Sequence, residues 1–532
     1  MPAKDGSCRY LITQLHFINR NHKYMAILGN IIKAALEITD RVMPEATPVK
    51  SQKEELKNLL EKAANTRFGR HYGFSGILRQ NDLAGAFAEA VPFHDYNAMH
   101  SGWWKEQMEE GTPDITWPGK VTYYAMSAGT TGKESKRIPV TENMLEAVRK
   151  TSIMQILSTA NFDFPAAFYE KEIMMLGSST DLKKVRHYRE GEISGIAAGN
   201  IPPWFERFYR PGKEIAAITD WDKRVDAIAR EAKNWDIGAM AGIPSWNELM
   251  MKRVIEANRA ESIHDIWPNL RVFVSGGVAF DPYRKSFESL TRYPLTFIDT
   301  YLASEGFLAY QSRPNKDMAM TLSTNSGIYF EFVPFREEYI DEDGSLVQGA
   351  ESFGLEEVET GQDYVLVIST VAGTWRYMIG DTIRFTDKEK AEIVITGRTK
   401  HFLNVVGSQL SVIQMNQAMR QLEDRFGLKI PEFTVAAVRP EDEYIHQWYL
   451  GVEGEAGEQE VTDYLDQILK ETNKAYKMAR EQALRDVRVK MVPPRVFYEW
   501  IERQKAKGGQ VKFPRVMTQK KFREWQEYAD KA

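Results

Sequence analysis

The sequence has almost no cysteine: Cys8 is the single one among 532 residues. An internal disulfide framework and a cysteine-rich zinc site are therefore excluded. Long apolar runs are missing too, since the most apolar stretch, residues 26–38, is interrupted by Lys33 and Glu37. A membrane-spanning helix needs about 20 predominantly apolar residues in succession, so we expect neither a membrane span nor a secretory signal. The two absences together predict a soluble protein of the cytoplasm.

A strong excess of positive charge is also absent. The chain carries 69 lysine and arginine residues against 74 aspartate and glutamate residues, which gives a net charge of −5. Because general binding to nucleic acid depends on basic surfaces that neutralise phosphates, we expect no nucleic-acid partner. The length, in contrast, is enough for more than one hydrophobic core, and we expect at least two domains.

What the sequence does contain is a loop rich in glycine and hydroxyl residues between two short strands, residues 121–126 and 138–140. Gly129 and Gly132 let backbone N–H groups approach an anion without a Cβ in the way. The loop is not of the Walker type, whose glycines stand further apart. Its composition fits a phosphate-binding loop and also a flexible polar turn. The hydroxyl donors and basic side chains around the glycines are Ser127, Thr130, Thr131, Lys133, Lys136 and Arg137.

Beyond Thr141, which we expect to cap a helix, short buried strands alternate with helices. The clearest unit is a strand at 271–275, a turn at Gly276 and Gly277, a helix, and a strand at 295–299. Such alternation predicts a layered α/β domain, whose ligands bind at the carboxyl ends of the strands. Gly276 with Gly277 and the segment 300–306 stand at two such ends, where a ligand can bind. Taken alone, each of the two is expected to be a tight turn.

From residue 327 the pattern changes to the alternation of half-buried strands, and it leads to Gly380 and Asp381. An aspartate after a glycine at the edge of such a sheet can accept hydrogen bonds from a ribose diol. It can also simply end a strand. The residues by themselves leave both interpretations open.

Four motifs occur in an order that is typical of one superfamily. They span residues 127–139, 301–306, 376–381 and 397–398. They resemble the phosphate-loop, aromatic and acidic, ribose and hinge motifs of the adenylate-forming ligases. Within that superfamily the chain is most similar to the auxin-responsive, Gretchen Hagen-type acyl acid amido synthetases, and the similarity covers nearly everything after Met25. Ala128 departs from the family pattern, which often has a second serine at this position.

The resemblance implies the use of ATP and Mg²⁺ and assigns roles to individual residues. Glu305 would bind Mg²⁺, Asp381 would hold the ribose hydroxyls, and Lys512 would meet the negative charge that develops during catalysis. The segment from Asp299 to Ser304 would line the adenine and the α-phosphate. The other implied nucleotide-binding residues are Ser127, Ala128, Gly129, Thr130, Thr131, Gly132, Lys133, Thr300, Tyr301 and Arg398.

The same resemblance predicts the domain organisation. Residues 1–396 would form a large layered α/β domain with mixed sheets and helices, and residues 1–24 of this range are expected to be a polar leader. Residues 397–532 would form a smaller, mobile α+β cap domain after a hinge at Gly397 and Arg398. A long helix is expected within the cap, over residues 461–484.

These observations predict a ligase that activates a carboxylic acid as an acyl-adenylate and passes the acyl group to the amine of an amino acid. One alternative transfers the acyl group to a thiol such as coenzyme A. A second alternative is a nucleotide-binding sensor without turnover. The pocket for the acid is expected around residues 144–168 and 328–332, but the identity of the acid cannot be read from these residues.

Overall fold

The computed structural model describes residues 47–127, 136–277, 280, 283–341, 344–399, 410, 412–438, 440, 444–473, 476–477, 480, 484–505, 513–517 and 519–531. The polar leader, residues 128–133 of the glycine-rich loop and Lys512 lie outside these ranges. Within them, no helix is both long enough and apolar enough to cross a bilayer.

Strands of three sheets organise the molecule. They are β1 (Tyr123–Ser127), β2 (Lys136–Val140), β3 (Glu172–Leu176), β4 (Lys183–Val185), β5 (Tyr188–Gly191), β6 (Tyr209–Arg210), β7 (Ile237–Gly242), β8 (Val272–Gly276), β9 (Thr296–Ala303), β10 (Gly306–Tyr310), β11 (Met320–Leu322), β12 (Ile328–Pro334), β13 (Asp363–Thr370), β14 (Thr374–Asp387), β15 (Glu392–Arg398), β16 (Lys429–Val438), β17 (Tyr444–Glu453) and β18 (Leu484–Val492).

The largest sheet has eleven strands in the order β12-β13-β14-β15-β11-β10-β9-β8-β7-β3-β6. Strands β9, β8, β7, β3 and β6 pair in parallel, while the strands from β9 to β12 pair antiparallel. The parallel half follows the predicted alternation of strands and helices, and the antiparallel half follows the alternation that begins near residue 327. The predicted layered α/β domain is therefore confirmed.

Helices cover the sheets, and their ends follow from local capping. Thr141 caps the helix Glu142–Ser158, as predicted, because its hydroxyl accepts a hydrogen bond from the backbone N–H of Met144. The helices with at least seven residues are Pro48–Ala63, Leu83–Ala90, Glu142–Ser158, Ile193–Gly199, Trp221–Glu231, Pro244–Asn258, Arg284–Leu290, Val412–Phe426, Glu458–Thr472, Pro494–Lys505 and Gln519–Ala529. Shorter ones are Arg67–His71, Phe74–Ile77, Tyr96–Met99, Lys105–Glu110 and Lys213–Ala216.

The C-terminal part has its own three-stranded sheet, in the order β16-β17-β18, with a separate hydrophobic core on each face. The predicted helix over residues 461–484 is wrong at its C-terminal end. The helix Glu458–Thr472 ends before Asn473, whose backbone is not helical, and Leu484 begins β18. The helix is interrupted at Asn473, whose side-chain oxygen accepts a hydrogen bond from Tyr476 N–H at 2.8 Å, and Tyr476, Lys477 and Arg480 are helical again. Pairing of β18 with β17 accounts for the extended backbone from Leu484 onward.

A buried cluster joins the C-terminal part to the larger part. Tyr283 donates a hydrogen bond to Oε1 of Glu432 at 2.7 Å, and Arg515 pairs with Oε2 of the same carboxylate at 2.7 Å. We call these three residues the joint cluster. Since Tyr283 precedes the helix Arg284–Leu290 and Glu432 lies on β16, the cluster connects the two parts of the chain.

Candidate active site

Strands β9, β14 and β15 of the large sheet carry predicted site residues. The turn expected over residues 300–306 is shorter than predicted: Thr300 to Ala303 continue β9, and the turn consists of Ser304 and Glu305 alone. The reason is pairing on both sides, since Thr300 lies opposite Gly276 of β8 and Ala303 lies opposite Gly306 of β10. This extended backbone places Tyr301 on a rigid strand.

Tyr301, Asp381 and Arg398 form a second cluster, which we call the sheet cluster. The Tyr301 hydroxyl donates to Oδ2 of Asp381, and Nε of Arg398 lies 2.6 Å from Oδ1 of the same carboxylate. The two charged residues face each other in the register of β14 and β15. Each carboxylate oxygen can accept more than one hydrogen bond, so Asp381 retains acceptor capacity for a ligand diol.

The residue before Asp381 has a conformation that favours glycine. Gly380 has a φ of +94°, in the region that side chains with a Cβ rarely adopt. The backbone carbonyl of Gly380 accepts a hydrogen bond from Thr399 N–H at 2.8 Å, immediately after β15 ends. Gly380 thus fixes the local backbone at the point where Asp381 meets Arg398.

Glu305 lies beside the sheet cluster and is only 6% exposed. Burial raises the pKa of its carboxyl group, while the positive charges of Lys136 and Arg398 oppose the shift. The proximity of Lys136 is informative, because this lysine stands on β2 at the base of the glycine-rich loop. Glu305 is therefore close to the charge of Arg398 in the sheet cluster and to that of Lys136 at the start of β2.

The loop itself is held by a rigid hairpin. Strands β1 and β2 pair antiparallel up to Ser127 and Lys136, so residues 128–135 connect the two strand ends. Arg137 donates from Nε to the buried carboxylate of Glu190 at 2.8 Å, and Lys183 binds the other oxygen of Glu190 at 3.1 Å. These ion pairs attach the hairpin to β5. The positions of residues 128–133 stay predictions.

Asp299 and Thr300 lie where β8 and β9 run side by side. The Thr300 hydroxyl donates to the carbonyl of Ser275 at 2.8 Å, and a Cβ on Gly276 would lie 2.9 Å from that hydroxyl oxygen. Glycine is thus required for this close approach of the two strands. Burial raises the pKa of Asp299 to about 7, partly offset by the hydrogen bond that its Oδ1 accepts from Thr300 N–H.

Arg376 shares a motif with Asp381 but has a structural role. Its guanidinium pairs with the buried carboxylate of Glu331 at 3.0 Å and donates to the carbonyls of Ala88 and Val91, both at 2.7 Å. Sequence reasoning also did not connect Lys136 with Glu305. The two lie far apart along the chain, and a local pattern carries no signal for such a pair.

Comparison with known proteins gives matches along most of the chain. The models of the GH3 family N-terminal, central and C-terminal domains match residues 43–227, 321–398 and 413–521. The chain is 26% identical over 298 residues to an indole-3-acetic acid-amido synthetase, GH3.8, of Oryza sativa subsp. indica, covering 52% of this chain and 48% of that protein. It is 23% identical over 406 residues to a jasmonoyl–L-amino acid synthetase, GH3.5, of Oryza sativa subsp. japonica, covering 63% and 67%. The first of these alignments thus spans about half the length of the relative.

Solved structures share the fold at low sequence identity. A GH3.15 acyl acid amido synthetase matches with a TM-score of 0.75 and 17% identity, covering 94% of this chain and 96% of that one. A 2-hydroxyisobutyryl-CoA ligase in its postadenylation state matches with a TM-score of 0.56 and 12% identity, covering 91% and 92%. The fold of the chain is therefore that of the adenylate-forming ligases.

Proposed function

Because this chain belongs to the GH3 family, we propose that it is an ATP-dependent ligase that joins a carboxylic acid to an amino acid. In the first step the acid's carboxylate attacks the α-phosphate of ATP, pyrophosphate leaves, and an acyl-adenylate forms. In the second step the amine nitrogen bonds to the acyl carbon, the bond from that carbon to AMP breaks, and the nitrogen loses a proton. The products are an amide, AMP and pyrophosphate.

The observation that carries this proposal is that Asp381 and Lys136 both lie close enough to Glu305 for their charges to act on its carboxyl group. A diol acceptor, an acidic metal ligand and a positive charge are what a nucleotide triphosphate requires within one site. In the proposed site Asp381 accepts hydrogen bonds from the ribose hydroxyls. The segment from Asp299 to Ser304 lines the adenine and the α-phosphate.

Two further parts of the proposal concern residues outside the described ranges. The hydroxyls and backbone N–H groups of residues 127–132 hold the β- and γ-phosphates. Lys512 stabilises the negative charge that develops at the α-phosphate and the acyl oxygen. The cap that carries Lys512 begins at Gly397 and Arg398, where the chain is about to leave the large sheet, and it moves between the two steps. A cytoplasmic location, favoured by the single cysteine, belongs to the same proposal.

Glu305 fits a role as the protein ligand of Mg²⁺. Its carboxylate supplies the oxygen donors that Mg²⁺ prefers, and its burial leaves the charged form in need of a positive partner. Mg²⁺ usually keeps several waters and takes further oxygens from substrate phosphates, so a cluster of protein ligands is not required. None occurs in the part of the chain that the structure describes. The bound cation would neutralise charge on the phosphates.

The metal role is tested by replacing Glu305 with glutamine. Glu305→Gln should raise the Mg²⁺ concentration needed for half-maximal exchange of pyrophosphate into ATP while the protein remains folded. Unfolding profiles of the two proteins supply the control for folding. Wild-type dependence on Mg²⁺ in the variant would contradict the assignment.

The central experiment measures acid-dependent exchange of labelled pyrophosphate into ATP across a panel of carboxylic acids. Acids that support exchange are then tested for AMP release with a mixture of amino acids or with coenzyme A. The masses of the products are measured by mass spectrometry. We expect an amide. Since the fold is shared with a CoA ligase, coenzyme A is the second candidate, and faster AMP release with it would identify a thioester-forming enzyme. Nucleotide binding without exchange with any acid would indicate a sensor.

A further inference from the structure

Arg224 is a buried cation whose guanidinium is incompletely satisfied by the protein. It lies in the first turns of the helix Trp221–Glu231 and is 5% exposed. Its Nε and Nη1 atoms have no hydrogen-bond partner among the described residues. Burial lowers its pKa, opposed by Tyr209 and Glu192. Buried N–H groups without an acceptor are costly, so their retention points to an acceptor that the protein does not supply.

Other buried arginines of the chain behave differently. Arg376, 4% exposed, pairs with Glu331 and donates to two backbone carbonyls. Arg515 pairs with Glu432 and donates to the carbonyl of Phe433. Arg224 instead has its guanidinium carbon 5.4 Å from the centre of the Trp221 ring. The fold therefore supplies acceptors to the guanidinium groups of Arg376 and Arg515, whereas the buried Nε and Nη1 of Arg224 have no acceptor among the described residues.

The surroundings of Arg224 connect it with the candidate active site. The charge of Glu192 acts on Arg224, and Glu192 directly follows strand β5. Gly191, the last residue of β5, lies opposite Ala125 of β1, and β1 leads into the glycine-rich loop. Ser178, just after the carboxyl end of β3, donates a hydrogen bond to Glu192. Arg224 thus lies near the carboxyl ends of the parallel strands, where ligands of α/β sheets bind.

The charges favour a ligand with one carboxylate over a polyanion. Pyrophosphate carries several negative charges and would be repelled by the nearby carboxylate of Glu192, whereas a zwitterion presents an ammonium group as well as a carboxylate. An arginine beside a glutamate matches both ends of an α-amino acid. We propose that Arg224 binds the free α-carboxylate of the acceptor amino acid. This inference rests on the proposed function and adds the residue that recognises the second substrate.

The test compares Arg224→Met and Arg224→Lys with Arg230→Met, which changes an exposed arginine of the same helix. Each protein is assayed for acid-dependent pyrophosphate exchange. Each is then assayed for AMP release against rising concentrations of an equimolar mixture of L-amino acids, and against the matched mixture of their α-carboxamides. Losing one partner of a buried charge pair should raise the KM for the amino acids by about 30-fold or more in Arg224→Met. The lysine variant should recover part of this loss, and Arg230→Met should match the wild type.

Several readouts separate this role from a structural one. In Arg224→Met, pyrophosphate exchange and the half-saturating pyrophosphate concentration should be unchanged, and the carboxamides should react as they do with the wild type. The melting temperature should be equal or higher, because the variant removes an unpaired buried charge. Equal losses with amino acids and carboxamides, weaker exchange, or a higher requirement for pyrophosphate would overturn the proposal.

If the proposed function is wrong, the wild-type protein will not exchange pyrophosphate into ATP with any of the acids. Calorimetric titration of the amino-acid mixture into wild-type protein and Arg224→Met then tests the binding site directly. Heat of binding that is present in the wild type and lost in the variant supports the carboxylate site. The same heat in both proteins, or none in either, overturns it.

Discussion

The sheet cluster and the joint cluster contain the same three side-chain types, a tyrosine, a carboxylate and an arginine. In both, the tyrosine hydroxyl and the guanidinium bind different oxygens of one carboxylate. They differ in exposure: the arginine side chain is 39% exposed in the sheet cluster and 15% in the joint cluster. They also differ in origin, since three strands of one sheet, β9, β14 and β15, build the first, and two separate parts of the chain build the second.

The difference indicates what each cluster can do. At the sheet cluster a ligand can reach Asp381 because the partner arginine is partly open to solvent. At the joint cluster Glu432 is 4% exposed in its side chain, so withdrawal of Arg515 would leave a buried charge without compensation. The same chemistry therefore suits ligand binding in one place and the attachment of two structural parts in the other.

The largest effect is expected from Lys512. Arg515 of the joint cluster anchors residues 513–517, the segment that directly follows Lys512. Val435 N–H donates to the carbonyl of Arg515 at 2.9 Å, so residues 513–517 run along β16. Lys512→Ala should slow adenylation by roughly 10²–10³-fold, about 2.7–4 kcal/mol, as for loss of one preorganised donor. Transfer from pre-formed acyl-adenylate to an amine should suffer much less. Parallel timing of AMP release in the two half-reactions measures both.

Lys507→Ala provides the matched control, since it removes a lysine of the same segment. Equal losses in the two half-reactions of Lys512→Ala would contradict a cap that moves between them.

The next effect tests the sheet cluster. Asp381→Asn should raise the Kd for ATP by about 10- to 100-fold, because hydrogen bonds to a charged acceptor are replaced by weaker ones. The melting temperature should change little, since Arg398 can turn to solvent. Titration of ATP by calorimetry measures the affinity, with Asp387→Asn on the same strand as the control. If ATP affinity fell equally in both variants, Asp381 would have no special part in the site.

A smaller effect is expected from the tyrosine of the joint cluster. Tyr283→Phe removes one hydrogen bond to Glu432, while Arg515 continues to neutralise the carboxylate. We expect a loss of about 1 kcal/mol in unfolding free energy and unchanged affinity for ATP. Denaturant unfolding measures the first and calorimetry the second. Tyr293→Phe is the matched control because Tyr293 is 59% exposed. A drop in ATP affinity in Tyr283→Phe would remove the distinction between the two clusters.

The last effect, on the pH dependence of stability, concerns Asp299, which stands two residues before the tyrosine of the sheet cluster. Its pKa is 3.8 in ordinary surroundings and about 7 in the folded protein. Between these values the unfolded chain has lost a proton that the folded protein keeps, so this group makes stability fall as pH rises. Asp299→Asn removes the titration. The difference in melting temperature, variant minus wild type, should rise from pH 4 to pH 7 and stay constant above pH 7. A difference in melting temperature that does not depend on pH would contradict the raised pKa of Asp299.

Local features of the fold were predictable from the sequence. The strand predicted at 271–275 is present as β8 (Val272–Gly276), and Thr141 caps its helix as predicted, because apolar patterns and capping depend on near neighbours. The predictions for the segment 300–306 and for a helix over residues 461–484 were less accurate. In the first, pairing with β8 and β10 extended the backbone where the local pattern favoured a turn. In the second, an interruption at Asn473 and the start of β18 at Leu484 shortened the predicted helix. Competition from tertiary pairing is what single-sequence patterns do not contain.

By itself, the sequence determined the family, the order of the motifs and the chemical types available for catalysis, since these depend on residue identity and spacing alone. The tertiary structure decided which charges meet. Glu190 with Arg137, Glu305 with Lys136 and Glu432 with Tyr283 are pairs whose members lie far apart along the chain. It also decided that the guanidinium group of Arg376 has hydrogen-bond acceptors, while Nε and Nη1 of Arg224 have none among the described residues. The reason is that the packing of the chain determines how deeply a charged group is buried and which partners it contacts. These two properties set the free-energy cost of burying the charge.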